Sequence, residues 1–126
     1  MTAMARLRSQ YAQESITTAS SAQLVTMVYD RLSQDLSVAE LGLGRRNVEQ
    51  AHNALLHAQA IVRELSVSLD VTVWKPASEL RRLYDYVTEE LIAANVSKDV
   101  TRVHNARQVI EPLRDAWHQA AKSLGS

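Results

Sequence analysis

The 126-residue sequence has no cysteine, which excludes a disulfide framework, a thiolate metal site and a cysteine nucleophile. It has only three glycines and two prolines, so few positions favour turns. It also has no excess of charge of either sign, because 14 basic residues balance 14 acidic ones. A nucleic-acid-binding protein relies on a surplus of basic residues to attract phosphates, so we expect no nucleic acid as a partner.

No apolar run approaches the roughly 20 residues that cross a membrane, and the first ten residues are polar, with two arginines. These features predict a soluble, unexported protein that does not insert directly into a membrane. The chain has the length of one domain, and 46% of its residues are hydrophobic, enough for a single core. Few turn formers and many apolar residues together indicate an all-α protein.

Turn-forming residues divide the chain at residues 42–47, 70–76 and 95–99. Between these breaks apolar residues recur every three or four positions, the spacing that places one stripe of an α-helix against a partner. The predicted stripes consist of Val25, Tyr29, Leu32, Leu36, Ala39 and Leu43; Val48, Ala51, Leu55, Ala58, Val62, Leu65 and Leu69; Ala77, Leu80, Tyr84, Val87, Leu91 and Ala94; and Val103, Ala106, Ile110, Leu113, Trp117, Ala120 and Leu124.

Short breaks between successive helices predict an antiparallel, up-down four-helix bundle over residues 20–126, preceded by an N-terminal arm over residues 1–19. Ser20, Asn47 and Ser97 are the predicted N-caps of the first, second and fourth helices. A proline inside a helix removes one backbone hydrogen bond, so Pro112 predicts a kink in the fourth helix. It does not predict a helix end, because the apolar spacing continues through it.

A four-helix bundle can hold two metal ions on inward-facing Glu-x-x-His pairs and further carboxylates. Glu49 with His52 and, more loosely, Asp115 with His118 offer such pairs, but both pairs are out of phase with the apolar stripes. The remaining two histidines also fall outside the stripes. We therefore expect surface pairs, no cofactor and no catalytic group.

Several apolar residues lie outside the stripes, which favours a groove that accepts an apolar segment of another polypeptide. Ordinary exposed apolar surface, or a core wider than the stripes, is the alternative. These residues are Leu24, Met27, Val38, Leu41, Leu56, Val67, Tyr86 and Ile92, with Ile61 and Leu83 at the stripe flanks. The arm carries Met4, Leu7, Tyr11 and Ile16 at similar spacing and is able to cover such a groove; a frayed tail is the alternative.

The run from Tyr11 to Asp30 resembles the N-terminal signature of the flagellin-specific export chaperones, the FliS family. Over residues 11–118 further similar motifs keep the family's order: Glu64-Leu65, Ser68-Leu69-Asp70, Leu80, Leu83-Tyr84-Asp85-Tyr86, Leu91, Ala93-Ala94-Asn95, Leu113-Arg114 and Ala116-Trp117. Three features depart from the family pattern. Ser21 replaces a frequent proline, residues 71–76 replace a glycine-containing turn, and Pro112 is the third.

The resemblance implies a cytoplasmic, non-catalytic chaperone without a cofactor. Such a chaperone binds the C-terminal segment of flagellin, prevents its premature polymerisation and delivers it to the export-gate protein of the flagellar secretion apparatus. The resemblance and the off-stripe positions together predict client contacts at Tyr11, Ile16, Leu56, Ile61, Leu83, Tyr86 and Ile92. Tyr84 and Trp117 are expected to pack in the core. A non-catalytic, self-associating helical scaffold is the main alternative, and a di-metal carboxylate bundle is the third.

Overall fold

The structure, a computed structural model, describes residues 18–69, 72 and 76–125. These residues form four helices, which we label α1 (Thr18–Gly44), α2 (Val48–Val67), α3 (Ala77–Ser97) and α4 (Val100–Gly125). The described ranges contain no strand. The predicted all-α class is therefore confirmed.

The helices pack as a ring in which α1 contacts α2 and α4, and α3 contacts the same two helices. Only three residues connect α1 to α2, and only two connect α3 to α4, so the chain reverses direction at both connections. Each connection contains one residue in the left-handed conformation, Arg46 at φ 56° and Lys98 at φ 53°. This arrangement confirms the predicted four-helix bundle. The predicted arm, apart from its last two residues, lies outside the described residues.

The start of α1 differs from its prediction, because the helix begins at Thr18 and Ser20 lies within its first turn. Several neighbouring hydroxyl residues are good N-caps, so spacing alone did not single out one of them. The prediction for α2 is confirmed, since the Asn47 side chain accepts a hydrogen bond from the Gln50 backbone N–H at 3.1 Å.

The predicted cap of α4 was wrong. Ser97 is the last residue of α3, and its hydroxyl donates to the Ala93 carbonyl oxygen at 2.7 Å. Asp99 takes the capping position, where Oδ1 accepts from the Thr101 backbone N–H at 2.9 Å. Helix α4 continues through Pro112, as the unbroken apolar spacing predicted.

The predicted stripes form most of the core. Buried members are Val25, Tyr29, Leu32, Leu36, Ala39, Ala51, Leu55, Ala58, Val62, Leu65, Ala77, Leu80, Tyr84, Val87, Leu91, Ala94, Val103, Ala106 and Ile110. Val48 is an exception, at 57% exposed, because it lies in the first turn of α2 at the open end of the bundle. Leu43, Leu69, Leu113 and Trp117 pack against the core but are only partly buried.

The core also contains one polar contact between diagonally opposite helices. The hydroxyl groups of Tyr29 on α1 and Tyr84 on α3 lie 2.5 Å apart, and both residues are buried. A buried hydroxyl that lacks a partner costs free energy, so two tyrosines that meet across the bundle satisfy each other. Tyr84 is therefore a core residue, as predicted.

Candidate protein-binding groove

An apolar groove runs between the beginning of α3 and the second half of α4, with a volume of about 390 Å³. Its lining consists of Pro76, Glu79, Leu80, Leu83, Leu113, Ala116, Trp117 and Ala120. Glu79 is the only charged residue among them. A concave, mostly apolar lining is typical of a surface that receives an apolar segment of another polypeptide.

The groove exists because the two facing helices fill their interface unevenly. On α4 the apolar stripe continues beyond Ile110 to Leu113 and Trp117, which are only half covered. The residues beside them that face α3, Ala116 and Ala120, are small and leave space between the helices. The apolar pattern that fills the core in the first half of α4 therefore lines an open groove in its second half.

Trp117 connects the groove to the core. Its ring centroid lies 6.5 Å from that of Tyr29, with the ring planes tilted by 41°. Aromatic rings at this separation attract each other in tilted arrangements. The indole therefore packs on the core, as predicted, and also forms part of the groove lining.

The other half of the α3–α4 interface is closed by polar contacts. The buried carboxylate of Glu90 accepts hydrogen bonds from Arg102 Nη1 at 3.1 Å and from Asn105 Nδ2 at 3.2 Å. A buried carboxylate needs such partners to offset the loss of water. These contacts confine the groove to the end of the bundle where α3 begins.

Charged pairs also cover the seam between α1 and α4. Asp30 Oδ1 accepts from Arg114 Nε and lies within hydrogen-bond distance of His118 Nε2, each at 2.7 Å. Farther along, Glu40 pairs with Arg107 at 3.2 Å. Burial raises the pKa of the Asp30 carboxyl, but the hydrogen bonds from His118 and Arg114 outweigh it, so the pKa lies below its usual value.

The seam between α1 and α2 is polar as well. Asp35 is buried and pairs with His57, and the Arg31 guanidinium lies 3.5 Å from the same carboxylate. A polar cleft beside these groups is also lined by amide side chains. Compared with this cleft, the α3–α4 groove has the more continuous apolar lining.

The structure brings only part of the predicted client-binding set to the groove. Leu83 lines it and is 39% exposed, and Tyr86 is exposed about one turn farther along α3. Leu56 on α2 and Ile92 on α3, each 46% exposed, lie away from the groove, on the side where α2 and α3 pack together. Tyr11 and Ile16 lie outside the described residues.

Ile61 is completely buried, so it is not part of the groove surface in this structure, and its contact with a client stays a prediction. On α2 the core is wider than a single stripe, and it includes Ala54 and Ile61 in a second row beside the predicted one. An apolar residue at the flank of a stripe can join the core whenever two neighbouring helices cover it, and the spacing does not distinguish that case.

The sequence interpretation missed four groove residues on α4, which it assigned to the core or did not single out: Leu113, Ala116, Trp117 and Ala120. One signal was present. Ala116 and Ala120 are four residues apart beside large apolar residues, a spacing that puts two small side chains on the same face of a helix. Such a pair predicts room for an additional segment.

Metal-ligating groups do not converge in the described ranges, where no three histidine or acidic side chains are placed to hold an ion. All four residues of the two pairs considered from the sequence are exposed, so neither pair faces the core. The Asn95 amide lies 2.9 Å from His52 Nδ1, Glu49 is exposed, and His118 pairs with Asp30. Of the helices described, none is long and apolar enough to span a membrane.

Comparison with known proteins adds a family to this geometry. Residues 4–124 match the family model described as flagellar protein FliS. The chain is similar to the flagellar secretion chaperone FliS of Bacillus subtilis (strain 168), with 29% identity over 113 residues, 90% of this chain and 84% of the relative. It is similarly related to the flagellar secretion chaperone FliS of Escherichia coli (strain K12), at 30% identity over 113 residues, 88% of this chain and 83% of that protein. A third relative, the protein of the same name from Salmonella typhimurium, is 30% identical over 109 residues, 85% of this chain and 81% of the relative.

Proposed function

Since this chain belongs to the FliS family of flagellar proteins, we propose that it binds the C-terminal segment of flagellin in the α3–α4 groove. The family consists of flagellar secretion chaperones and is non-catalytic, so the chain is not an enzyme. The single observation that supports the site is the half-open apolar stripe of α4 facing Leu83. An amphipathic segment of the client can pack its apolar face on this stripe, as a fifth helix added to the four of the bundle would.

A client bound in the groove cannot polymerise, because the apolar face that it needs for polymerisation is then covered by the bundle. A disordered client must become ordered as it binds, and this ordering costs roughly 2 to 5 kcal/mol of the interaction energy. The complex is therefore specific without being too tight for release. We propose that binding takes place in the cytoplasm, before export, and that the complex is delivered to the export-gate protein.

The arm at the start of the chain is the proposed competitor of the client. Asp30 pairs with His118, whereas Glu40 pairs with Arg107, so α1 and α4 are antiparallel and Thr18 is at the groove end of the bundle. An arm that carries Tyr11 and Ile16 and continues from this end has a short path to the groove.

The experiment that tests the site is calorimetric titration of the full chain with a peptide of the C-terminal segment of flagellin from the same cell. We expect Leu83→Asp and Tyr86→Ala to weaken binding at least about tenfold, because each removes apolar contact area from the groove or its rim. Met27→Ala is the matched control, since Met27 is exposed on α1 and away from the groove.

A fluorescence readout distinguishes the groove from other surfaces. In a Trp74→Phe background the remaining tryptophan is Trp117, which lines the groove, so its emission should shift when the peptide binds. If no flagellin segment binds the full chain, the proposed function fails. If peptide binds but neither groove variant weakens it and the emission is unchanged, the client binds elsewhere on the bundle.

A further inference from the structure

The two short connections, residues 45–47 and residues 98–99, meet at the end of the bundle that is opposite the groove. Between them lies a cavity of about 330 Å³, which we call the end cavity. Its lining consists of Gly42, Leu43, Arg46, Val48 and Lys98. A volume this small is at the lower limit for ligand sites, so the end cavity suits one or two side chains of a peptide.

The surrounding helices leave the apolar part of the end cavity open. Val48 is 57% exposed, and Leu43 packs against the core but is only partly buried. Gly42 lies between them on the lining and contributes no side chain. Contact with an apolar side chain of another molecule would remove this surface from water, which stabilises a complex.

Two cations stand beside the apolar surface. The Arg46 guanidinium forms no ion pair or hydrogen bond with the part of the chain that the structure describes. Lys98 Nζ donates to Asn95 Oδ1 at 2.5 Å, and an ammonium group has three protons, so two remain for a ligand. The adjacent Asp99 does not neutralise Lys98, because its carboxylate caps α4.

Both cations occupy backbone positions that normally favour another residue. Of the described residues other than glycine, Arg46 and Lys98 are the only two with positive φ, at 56° and 53°. Glycine or asparagine usually follows a helix end in this conformation. A cation interacts favourably with a helix C-terminus, but that interaction does not require a left-handed residue. The chain therefore places two positive charges at one cavity despite a conformational cost.

We propose that the end cavity binds an acidic segment of another protein. An apolar side chain of the segment packs against Leu43 and Val48, and carboxylates of the neighbouring residues pair with Arg46 and Lys98. Hydrogen bonds between carboxylates and cationic groups are stronger than those between neutral groups, and they fix the orientation of the segment. The apolar contact restricts binding to acidic segments that carry a large apolar residue.

Charge and shape favour this partner over three other occupants. A second copy docked end to end would bring four cations together, and these repel one another. Residues 1–17 of the same chain contain two arginines and one glutamate, so the arm does not complement the site. An anionic lipid surface attracts cations too, but a flat bilayer leaves a concave cavity unfilled.

The end cavity is independent of the α3–α4 groove. The groove lies at the start of α3, whereas Lys98 directly follows its last residue. The 21 residues of α3 span about 30 Å, so the two sites can be occupied at the same time. The inference therefore does not rest on the proposed function.

The first test is an NMR titration of the ¹⁵N-labelled full chain at low salt. The probe is a capped pentapeptide with a central leucine and two acidic residues on each side. We expect amide shifts centred on residues 42–48 and 96–99, with a Kd of about 1 mM or tighter. Two control peptides replace the leucine by glycine or the four acids by lysine, and each should bind at least about tenfold more weakly.

Arg46→Asn and Lys98→Asn test the two cations. Asparagine tolerates the left-handed conformation, so each variant loses a charge without added strain, and its thermal melt should match that of wild type. Each should raise the Kd of the acidic pentapeptide at least about fivefold. Arg82→Asn is the matched control, because it removes one exposed arginine near the other end of the bundle and should leave the Kd unchanged.

Binding of the flagellin peptide to the groove, followed by Trp117 emission, should be the same in Arg46→Asn and Lys98→Asn as in wild type. Loss of that binding in both would mean that the two sites are not independent and would overturn the proposal. Failure of the flagellin peptide to bind wild type would instead count against the proposed function alone.

Three further outcomes would overturn the proposal. The first is the absence of shifts at residues 42–48 up to about 10 mM pentapeptide. The second is binding that the glycine peptide matches or that both asparagine variants retain, since charge attraction without a cavity produces the same result. The third is co-sedimentation with vesicles of phosphatidylcholine and phosphatidylglycerol in the absence of pentapeptide binding, which would assign the cations to a membrane surface.

Discussion

Gly42 is the residue at which α1 comes closest to α2. A Cβ atom at this position would lie 2.9 Å from the Ala51 backbone nitrogen and 3.2 Å from the Asn47 carbonyl oxygen. These are backbone atoms at the start of a helix, and they cannot turn away as a flexible side chain can. We therefore expect Gly42→Ala to lower the free energy of unfolding by about 1 to 3 kcal/mol.

Urea denaturation measures this change, and Gly44→Ala is its matched control. Gly44 also lies at the end of α1, but apart from its chain neighbours and the backbone of its own helix, no described atom lies within 4 Å of a Cβ atom there. Its substitution should leave stability unchanged or raise it by a few tenths of a kcal/mol, since alanine favours the helix. Equal effects at the two glycines would contradict the close approach of α1 and α2.

Asp30 predicts a dependence of stability on pH. Its pKa in the folded protein is depressed, so its contribution is present above the pKa of the unfolded chain and is lost as the pH falls through the folded pKa. We expect Asp30→Asn to be less stable than wild type at neutral pH and the difference to shrink in acid, below about pH 4. Because the pair is partly exposed, added salt should also reduce the difference. Chemical denaturation at several pH values checks this, and a difference that persists unchanged in acid would contradict it.

At the scale of the element, α4 combines two structural roles along one apolar stripe. Before Pro112 the stripe is buried, as at Ile110, and after it Leu113 is partly exposed in the groove. Ile110→Ala should therefore cost about 2 to 5 kcal/mol, whereas Leu113→Ala should cost less, about 1 to 2 kcal/mol, because water already reaches its side chain. Thermal or urea unfolding compares the two variants, and equal losses would mean that the groove is closed.

The stripes could be predicted from the sequence because a period of three and four residues is a local property of each helix. The short connections at 45–47 and 98–99 then leave little choice of topology. Whether a residue of a stripe is covered depends on its surroundings in the bundle and not on the local sequence. Trp117 and Val48 have correct spacing, but the first lies beside small residues of its own helix and the second at the end of the bundle.

The residues that line the groove were harder to predict for the same reason. Leu83 and Ile61 both lie at the flank of a stripe, and the sequence treats them alike. In the fold, Ile61 is completely buried in the core, whereas Leu83 faces Ala116 and Ala120, which are too small to cover it. The difference between a core residue and a groove residue is therefore set by the partner helix.

At the scale of the whole molecule, the four interhelical seams differ in what closes them. Ion pairs and hydrogen bonds close the seams of α1 with both neighbours, and the Glu90 cluster closes half of the seam between α3 and α4. The remaining half is apolar and open. If the groove binds a client as proposed, the bundle can keep its fold while the client binds and leaves, since the closing contacts do not depend on the groove.

This separation leads to a prediction about the arm. Deletion of residues 1–16 should leave the four helices and a single cooperative unfolding transition intact, because contacts among the described residues of the four helices already close the core. If the arm covers the groove in the free chain, its removal also abolishes a competing intramolecular equilibrium. The flagellin peptide should then associate faster in stopped-flow measurements of Trp117 emission.

The control is a chain that carries Tyr11→Ala and Ile16→Ala and so keeps the full length of the arm. Its association with the peptide should be accelerated in part. Unchanged association rates in both chains would show that the arm does not compete for the groove.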